Sequence, residues 1–159
     1  MWKETDKMKN YKKMYYDKEF ENNRNYMKFQ LLQQWMRLKN KKIHFSEFFV
    51  DRGIHSIALY GIGELGRLFY DELELCGVKK ILKYGIDQDT NVSYKDISIY
   101  SLSPSLEKVD AIVISPVMIT DSIEDRIYEI LGEQVTFTIE EILYELSRKY
   151  RITSALWKI

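Results

Sequence analysis

Three glycines at fixed spacing, Gly61, Gly63 and Gly66, constrain the fold of this chain more than any other feature. A short apolar run precedes them, and a helical pattern follows at once. In a mononucleotide-binding βαβ unit the first glycine lets the chain turn off a strand, the second leaves room for a pyrophosphate, and the third lets the helix lie close to the sheet. The helix N-terminus then offers free N–H groups and a partial positive charge to an anion. The motif therefore predicts a strand, a turn and a helix suited to a nucleotide.

A second strand-like run, residues 80–86, ends at Asp87. Asp87 follows the glycines at about 20 residues, the interval at which the carboxylate of a dinucleotide-binding domain meets a ribose hydroxyl. A carboxylate there repels a 2′-phosphate, so it favours NAD or a plain ribose over NADP. Asp89 adds a second carboxylate, but its neighbours Gln88 and Asn91 are more typical of turn chemistry than of a metal site.

The segment after the glycines predicts an amphipathic helix over residues 64–76. Leu65, Leu68 and Phe69 recur at helical spacing, so we expect that face to pack on the sheet. Charged residues, among them Glu72, fall on the other side of the helix. The pattern therefore places Glu72 on the charged side of the helix.

Charge and hydropathy exclude several classes of protein. The 159 residues include 24 Lys+Arg and 24 Asp+Glu, so the chain lacks the basic excess of a nucleic-acid binder. No apolar run approaches the ~18 residues needed to cross a bilayer, and the N-terminus has no apolar signal-peptide core. We expect a cytoplasmic protein that neither spans a membrane nor binds nucleic acid.

The N-terminal part is predicted to be helical. Residues 1–25 have the pattern of a loosely held helix, and residues 26–39 carry a wide apolar stripe that includes Leu31, Trp35 and Leu38. A helix of this kind either covers one side of a sheet or pairs with its copy in a second subunit. We expect the chain to form a homodimer through these helices. Leu31, Trp35 and Leu38 would then be an exposed stripe on each subunit.

A second short helix is expected to follow, capped by Ser46 and ending at Gly53. His44 and His55 flank it at no metal-ligand spacing, so we expect surface or capping roles for both. Cys76 is the only cysteine, which excludes an internal disulfide, and its apolar neighbours indicate a buried residue rather than a nucleophile. The sequence thus predicts neither a metal site nor a catalytic residue.

The second half alternates strands and helices. The predicted elements are strands near residues 97–102, 109–117 and 134–137 and helices over about 119–131 and 139–149. Thr138 and Glu141 form a capping box for the last helix. This order indicates an α/β fold: a Rossmann-like, doubly wound, mainly parallel sheet of about five strands with an N-terminal helical extension. The domains are the extension (1–53), the nucleotide-binding domain (54–150) and a C-terminal tail (151–159) that docks on the body.

Ser115 lies at the end of the strand-like run 109–117, which is β-branched enough to be buried on both faces. In an open parallel sheet, the strand ends near the reversal of strand order form the ligand crevice. Ser115 is therefore expected beside the glycines, with its hydroxyl toward a phosphate, a ribose or the next helix's N–H groups. The candidate cofactor-binding residues are Gly61, Ile62, Gly63, Glu64, Leu65, Gly66, Asp87 and Ser115.

Three segments carry a family resemblance, namely residues 60–67, 84–87 and 109–114. With them the chain resembles the Rossmann-like nucleotide-binding domains of bacterial polysaccharide-biosynthesis proteins. These include the N-terminal domains of sugar-nucleotide dehydratases and sugar O-acyltransferases, besides small stand-alone members. The resemblance covers about residues 54–131. It implies that Gly61, Gly63, Glu64 and Asp87 line a site for a nucleotide or nucleotide-sugar.

The chain also departs from this family. In the larger members another domain carries the chemistry, and here Tyr144 has Arg148 where a Tyr-x-x-x-Lys pair would have lysine. We therefore expect a binding protein accessory to surface-polysaccharide synthesis and not catalytic alone, with NAD or a UDP-type nucleotide as candidate ligands. Two alternatives stay open. One is a ligand-free scaffold that recruits a glycosyltransferase-type partner, and the other is a small NAD-dependent oxidoreductase or epimerase completed by dimerisation.

Overall fold

A computed structural model describes the backbone of residues 2–154 and 156–157, and the side chains of this part from residue 17 onward. Helices and strands alternate along most of its length. The elements are α1 (Trp2–Asn40), α2 (Phe45–Asp51), β1 (Ile57–Tyr60), α3 (Glu64–Leu75), a 3-10 turn (Lys79–Ile81), β2 (Leu82–Ile86), β3 (Ile99–Tyr100), β4 (Ala111–Ile114), α4 (Thr120–Leu131), β5 (Thr136–Thr138) and α5 (Ile139–Tyr150).

The five strands form one parallel sheet in the order β3-β2-β1-β4-β5. Leu59 of β1 pairs with Gly85 of β2 on one side and with Val113 of β4 on the other. The strand order reverses at β1, because the chain adds β2 and β3 on one side before it crosses to β4 and β5. The predicted doubly wound α/β fold is confirmed, and the carboxyl ends of β1 and β4 lie side by side at the reversal.

Side chains that alternate along the strands build two cores. Ile57 and Leu59 face a large core shared with α1, α2, α3 and α5. Ala58 and Tyr60 face a smaller core, to which α4 contributes Ile123 and Ile127. Both faces of β1 and β4 are therefore covered, and this burial explains their near-continuous apolar sequence.

α1 is one unbroken helix of 39 residues, about 58 Å long, rather than two segments. The prediction that Leu31, Trp35 and Leu38 are exposed is wrong. These side chains are buried in the chain's own core, so the stripe covers one face of the sheet. From residue 17 onward, where side chains are described, the large apolar side chains that α1 exposes are Phe20, Tyr26, Phe29, Leu32 and Met36.

Of the two predicted helix N-caps, the one at Thr138 is observed and the one at Ser46 is not. α5 begins with the predicted capping box, in which Thr138 Oγ1 accepts from the Glu141 N–H and the Glu141 carboxylate accepts from the Thr138 N–H. Ser46 does not cap α2. That helix starts two residues earlier than expected, with His44 at the N-cap, because Phe45 is itself a buried helical residue.

The C-terminal segment returns to the body, as predicted. Ile152 is buried in the large core, and Leu156 and Trp157 pack against it. Trp157 contacts the Tyr144 ring edge-on, at 5.4 Å between centroids. The described part of the tail therefore belongs to the layer that α1 and α5 form.

α3 differs from its predicted orientation at two positions. Leu68 is 43% exposed, whereas Glu72 is only 2% exposed. α1 and α2 cover a part of α3 that a lone amphipathic helix would leave in water. Glu72, which the sequence places on the charged side of the helix, is therefore buried.

Candidate functional site

Two of the three motif glycines are required by packing. Gly61 has φ +89°, and a Cβ there would lie 2.7 Å from Ser115 Oγ and from Pro116 Cδ. A Cβ on Gly66 would lie 2.1 Å from the carbonyl oxygen of Gly61. A side chain at either position would displace the turn from the sheet, so the fold alone explains these two glycines.

Gly63 has no such requirement. Its φ of −86° and ψ of −160° suit any L-residue, and beyond its two chain neighbours no heavy atom of the described residues lies within 4 Å of the position of a Cβ. It is the N-cap of α3, and among the described side chains none donates or accepts a capping hydrogen bond there. The space above the first turn of α3 is therefore open to a ligand that accepts hydrogen bonds.

Two cations of α1 lie at this helix end. Arg24 and Lys28 line a cavity of about 130 Å³ together with Gly63, Glu64, Leu65, Ser115, Pro116 and Val117. The positive end of the α3 dipole and two basic side chains therefore surround one small space, in which Glu64 is the opposing charge. The net positive charge around this space favours an anion.

Asp87 is tied to the turn by its carboxylate. Oδ2 accepts the Ile62 N–H at 2.9 Å, and Oδ1 accepts the Asp89 N–H at 3.0 Å. Asp89 in turn accepts the Asn91 N–H at 3.0 Å, which confirms that these acids form turns. Each Asp87 oxygen has a second lone pair, so the carboxylate can brace the turn and also accept a hydroxyl.

Ser115 lies beside the turn, as its position in the sequence predicted. Its hydroxyl donates to the Gly61 carbonyl at 2.7 Å in a site that is 3% exposed. The expected contact was a ligand or the next helix, but the hydroxyl hydrogen instead joins β4 to the turn after β1. Ser115 thus positions the backbone of the turn.

Arg67 braces the same turn from the first part of α3. Its Nε donates to the Ile62 carbonyl at 3.2 Å, and its guanidinium carbon lies 5.3 Å from the centre of the Tyr94 ring. Both polar backbone groups of Ile62 are therefore bonded by side chains. The turn has little freedom to rearrange when a ligand arrives.

Two larger cavities flank the turn. One, of about 200 Å³, lies at the ends of β1 and β2 and is lined by Tyr60, Ile86, Asp87, Gln88, Ser101, Leu102 and Arg126. The other, of about 770 Å³, is lined by Met27, Met118, Ile119, Thr120, Asp121, Ser122, Thr138, Glu140, Glu141, Tyr144 and Trp157. The chain between Ser115 and Met118 leads from the turn to the larger cavity, and Tyr60 and Gly61 lead from the smaller one to the turn. The three spaces follow the carboxyl edge of the sheet.

The predicted site residues come together with unequal roles. Gly63, Glu64 and Asp87 face open space, while the side chains of Ile62 and Leu65 are buried in the core. The sequence did not indicate the basic residues of the site. Arg24, Lys28 and Arg126 come from α1 and α4, and no spacing in the sequence relates them to the glycines.

Comparisons with known proteins do not assign the chain to a family. The chain matches no protein-family model, and no curated protein matches it. Among the helices that the structure describes, none combines the length and the apolar character needed to span a bilayer.

Proposed function

We propose that this chain binds a nucleotide or nucleotide-sugar through its diphosphate at the N-terminus of α3. The observation that carries the proposal is Gly63, a glycine that packing does not require, at a helix end that no described side chain caps. Arg24 and Lys28 add positive charge to the same space. An open helix N-terminus with nearby cations is a general solution for binding phosphate.

The flanking cavities suggest how the rest of the ligand lies. A base and ribose would occupy the 200 Å³ cavity, where Asp87 and Gln88 offer acceptors and a donor. A sugar or second nucleoside would extend toward the 770 Å³ cavity, whose lining mixes hydroxyl groups with Met27, Tyr144 and Trp157. This arrangement follows the general rule that ligands bind outside the carboxyl ends of strands, at the reversal of strand order.

The role of Asp87 supports a choice between cofactors. Its carboxylate is fixed by the Ile62 N–H, so it stays at the cavity when a ribose enters. A 2′-phosphate at this point would meet a negative charge, although Arg126 lines the same cavity and offsets part of that repulsion. We infer that NAD or a UDP-type nucleotide binds more tightly than NADP.

Binding rather than catalysis is the role that the site supports. The Ser115 hydroxyl donates to the Gly61 carbonyl, which opposes its use as a nucleophile. Together with the resemblance of residues 54–131, this supports a role accessory to surface-polysaccharide synthesis. A nucleotide-sugar is then the favoured ligand.

The binding proposal is tested by isothermal titration of purified protein with UDP, UDP-N-acetylglucosamine, NAD, NADP and CoA. We expect saturable heat with at least one of the first three, and weaker binding of NADP than of NAD. Absence of binding to all five at millimolar concentration would contradict the proposal.

A second candidate role is self-association through α1. Phe29, Leu32 and Met36 recur at helical spacing and are between 38% and 58% exposed, so they form an apolar face that the described residues leave largely uncovered. We propose that this face pairs with its copy in a homodimer. Sedimentation velocity of wild type and Met36→Glu tests it, and a monomer at micromolar concentration in the wild type would oppose it.

A further inference from the structure

Three side chains with metal-binding atoms meet at the end of α3 that lies away from the glycine turn. His44 is the N-cap of α2, Glu72 lies in the last part of α3, and Cys76 is its C-cap residue, one turn after Glu72. One ligand atom from each lies within 4.8 Å of the other two. This His44–Glu72–Cys76 cluster takes no part in the nucleotide site, because Glu72 is about two helical turns, roughly 12 Å, from Glu64.

Glu72 is a buried carboxylate without a Lys or Arg partner among the described residues. Its side chain is 1% exposed. It accepts hydrogen bonds from Trp35 Nε1 and, at 3.2 Å, from the Phe45 N–H, and both donors are neutral. A buried charge is costly unless an ion pair or a metal compensates it. A cation bound beside Glu72 would compensate this buried charge.

His44 is the nearest group that could supply a positive charge, but its geometry is poor for that role. Its Nδ1 lies 3.5 Å from Glu72 Oε1. The atom itself is buried, and none of the described residues gives it a hydrogen bond. A buried nitrogen that faces a carboxylate without bonding to it is placed as a metal ligand would be.

We propose that His44 Nδ1, a Glu72 carboxylate oxygen and Cys76 Sγ bind one zinc ion, with water as the fourth ligand. Ligand atoms around tetrahedral zinc are roughly 3.3–3.8 Å apart, as Zn–N and Zn–O bonds of about 2.0–2.1 Å and Zn–S bonds of about 2.3 Å require. The three ligand atoms lie within 4.8 Å of one another, so shifts of about 1 Å bring them to these separations. Nitrogen, oxygen and sulfur donors together favour zinc over magnesium or calcium.

The surroundings hold the ligands in place. Trp35 of α1 and the Phe45 N–H of α2 both bond the Glu72 carboxylate, as outer groups commonly orient a metal ligand. A metal here would join α2 to α3 directly and α1 through Trp35. We therefore expect zinc to stabilise the attachment of the N-terminal helices to the sheet.

Binding involves a change of protonation at Cys76. Because zinc binds the thiolate form of cysteine, the Cys76 thiol gives up its proton when metal binds. On binding, the sulfur forms a bond to zinc and its proton passes to solvent, while His44 binds through the lone pair of the neutral ring. Neither oxidant nor reductant is needed.

Cobalt(II) substitution tests the site in the untagged 159-residue chain. A thiolate bound to cobalt gives a near-ultraviolet charge-transfer band, and Cys76 is the only cysteine that could produce it. We expect the band to saturate at one cobalt per chain and to disappear when zinc is added. Cys76→Ser should abolish it, and His44→Asn should weaken cobalt binding at least tenfold.

The chain provides a matched control, because it has one other histidine, the exposed His55. His55→Asn should leave the cobalt titration unchanged. Absence of the band in wild type, or equal cobalt affinity in wild type and His44→Asn, would overturn the proposal. Circular dichroism establishes that each variant is folded before it is titrated.

Discussion

The carboxylate of Asp87 accepts a hydrogen bond from the backbone N–H of Ile62 at 2.9 Å. This bond joins the end of β2 to the glycine turn after β1, so the acid holds the turn in shape as well as facing the cavity beside it. The Ser115 hydroxyl does the same from β4 through the Gly61 carbonyl. Both neighbours of β1 therefore fix the turn that presents the helix N-terminus.

Asp87→Ala should destabilise the protein and loosen the turn. The variant loses a charged acceptor for the Ile62 and Asp89 N–H groups, at a cost of about 1–2 kcal/mol in the free energy of unfolding. Urea denaturation measures the loss, and amide exchange at Ile62 reports the turn directly. Asp89→Ala, which removes an exposed acceptor for Asn91, is the control and should cost less than half as much. Unchanged protection of the Ile62 amide in Asp87→Ala would show that the hydrogen bond to Asp87 does not hold the turn in place.

Substitutions at Gly66 and Gly63 should differ sharply in their effect on the free energy of unfolding. Gly66→Ala places a Cβ 2.1 Å from the Gly61 carbonyl, which should lower the free energy of unfolding by at least ~2 kcal/mol. Gly63→Ala meets none of the described atoms within 4 Å at a negative φ, so it should change stability by less than about 1 kcal/mol. Urea titration of the pair checks both values. Equal losses would contradict the separate roles given to these glycines.

Arg24→Ala and Lys28→Ala should weaken binding of a diphosphate with little change in stability. Each removes a cation beside the N-terminus of α3 and should raise Kd roughly fivefold, or about 1 kcal/mol. The effect should shrink as salt is added, because ions screen the attraction. Lys18→Ala, an equal loss of charge at an exposed position outside this cavity, is the control for titration calorimetry.

The start of β1 should lose stability in acid. The N–H groups of His55 and Ser56 bond the Asp110 carboxylate at 2.8 and 3.0 Å, and they hold its pKa below the ordinary 3.8. Because the folded pKa is the lower one, Asp110 stabilises the fold above pH ~4 and loses this effect as pH falls through the folded pKa. Asp110→Asn should therefore be less stable than wild type at neutral pH and similar near pH 2, as measured by urea unfolding at each pH. A constant difference would oppose this account.

Local patterns in the sequence were enough to place most elements. Thr138 and Glu141 are three residues apart and satisfy each other's backbone, so the start of α5 could be predicted without tertiary contacts. The same holds for β4, whose β-branched residues indicate burial on both faces. Ser46 failed as a cap because Phe45, beside it, enters the helix to reach the core.

Long-range contacts could not be predicted. The stripe of Leu31, Trp35 and Leu38 shows that α1 buries one face, but periodicity cannot tell whether the cover is this chain's sheet or another subunit. The burial of Glu72 depends on α1 and α2, which lie far from it in sequence. Arg24 and Lys28 reach the glycine turn for the same reason, through the fold of α1 onto the sheet.

The central claim is that Gly63 keeps a space open for a phosphate-bearing ligand. The most direct test is a thermal-shift comparison of wild type and Gly63→Val with UDP, UDP-N-acetylglucosamine, dTDP-glucose, FAD, NAD, NADP and CoA. We expect the variant to melt close to wild type without ligand, because a Cβ at position 63 lies more than 4 Å from the described atoms outside its chain neighbours, at a φ that L-residues adopt. At a ligand concentration of about 100 times Kd, wild type should gain about 5–10 °C with at least one nucleotide. The melting temperature of Gly63→Val should not rise with any of these ligands. No shift in wild type with any of them, or an equal shift in both proteins, would contradict the account.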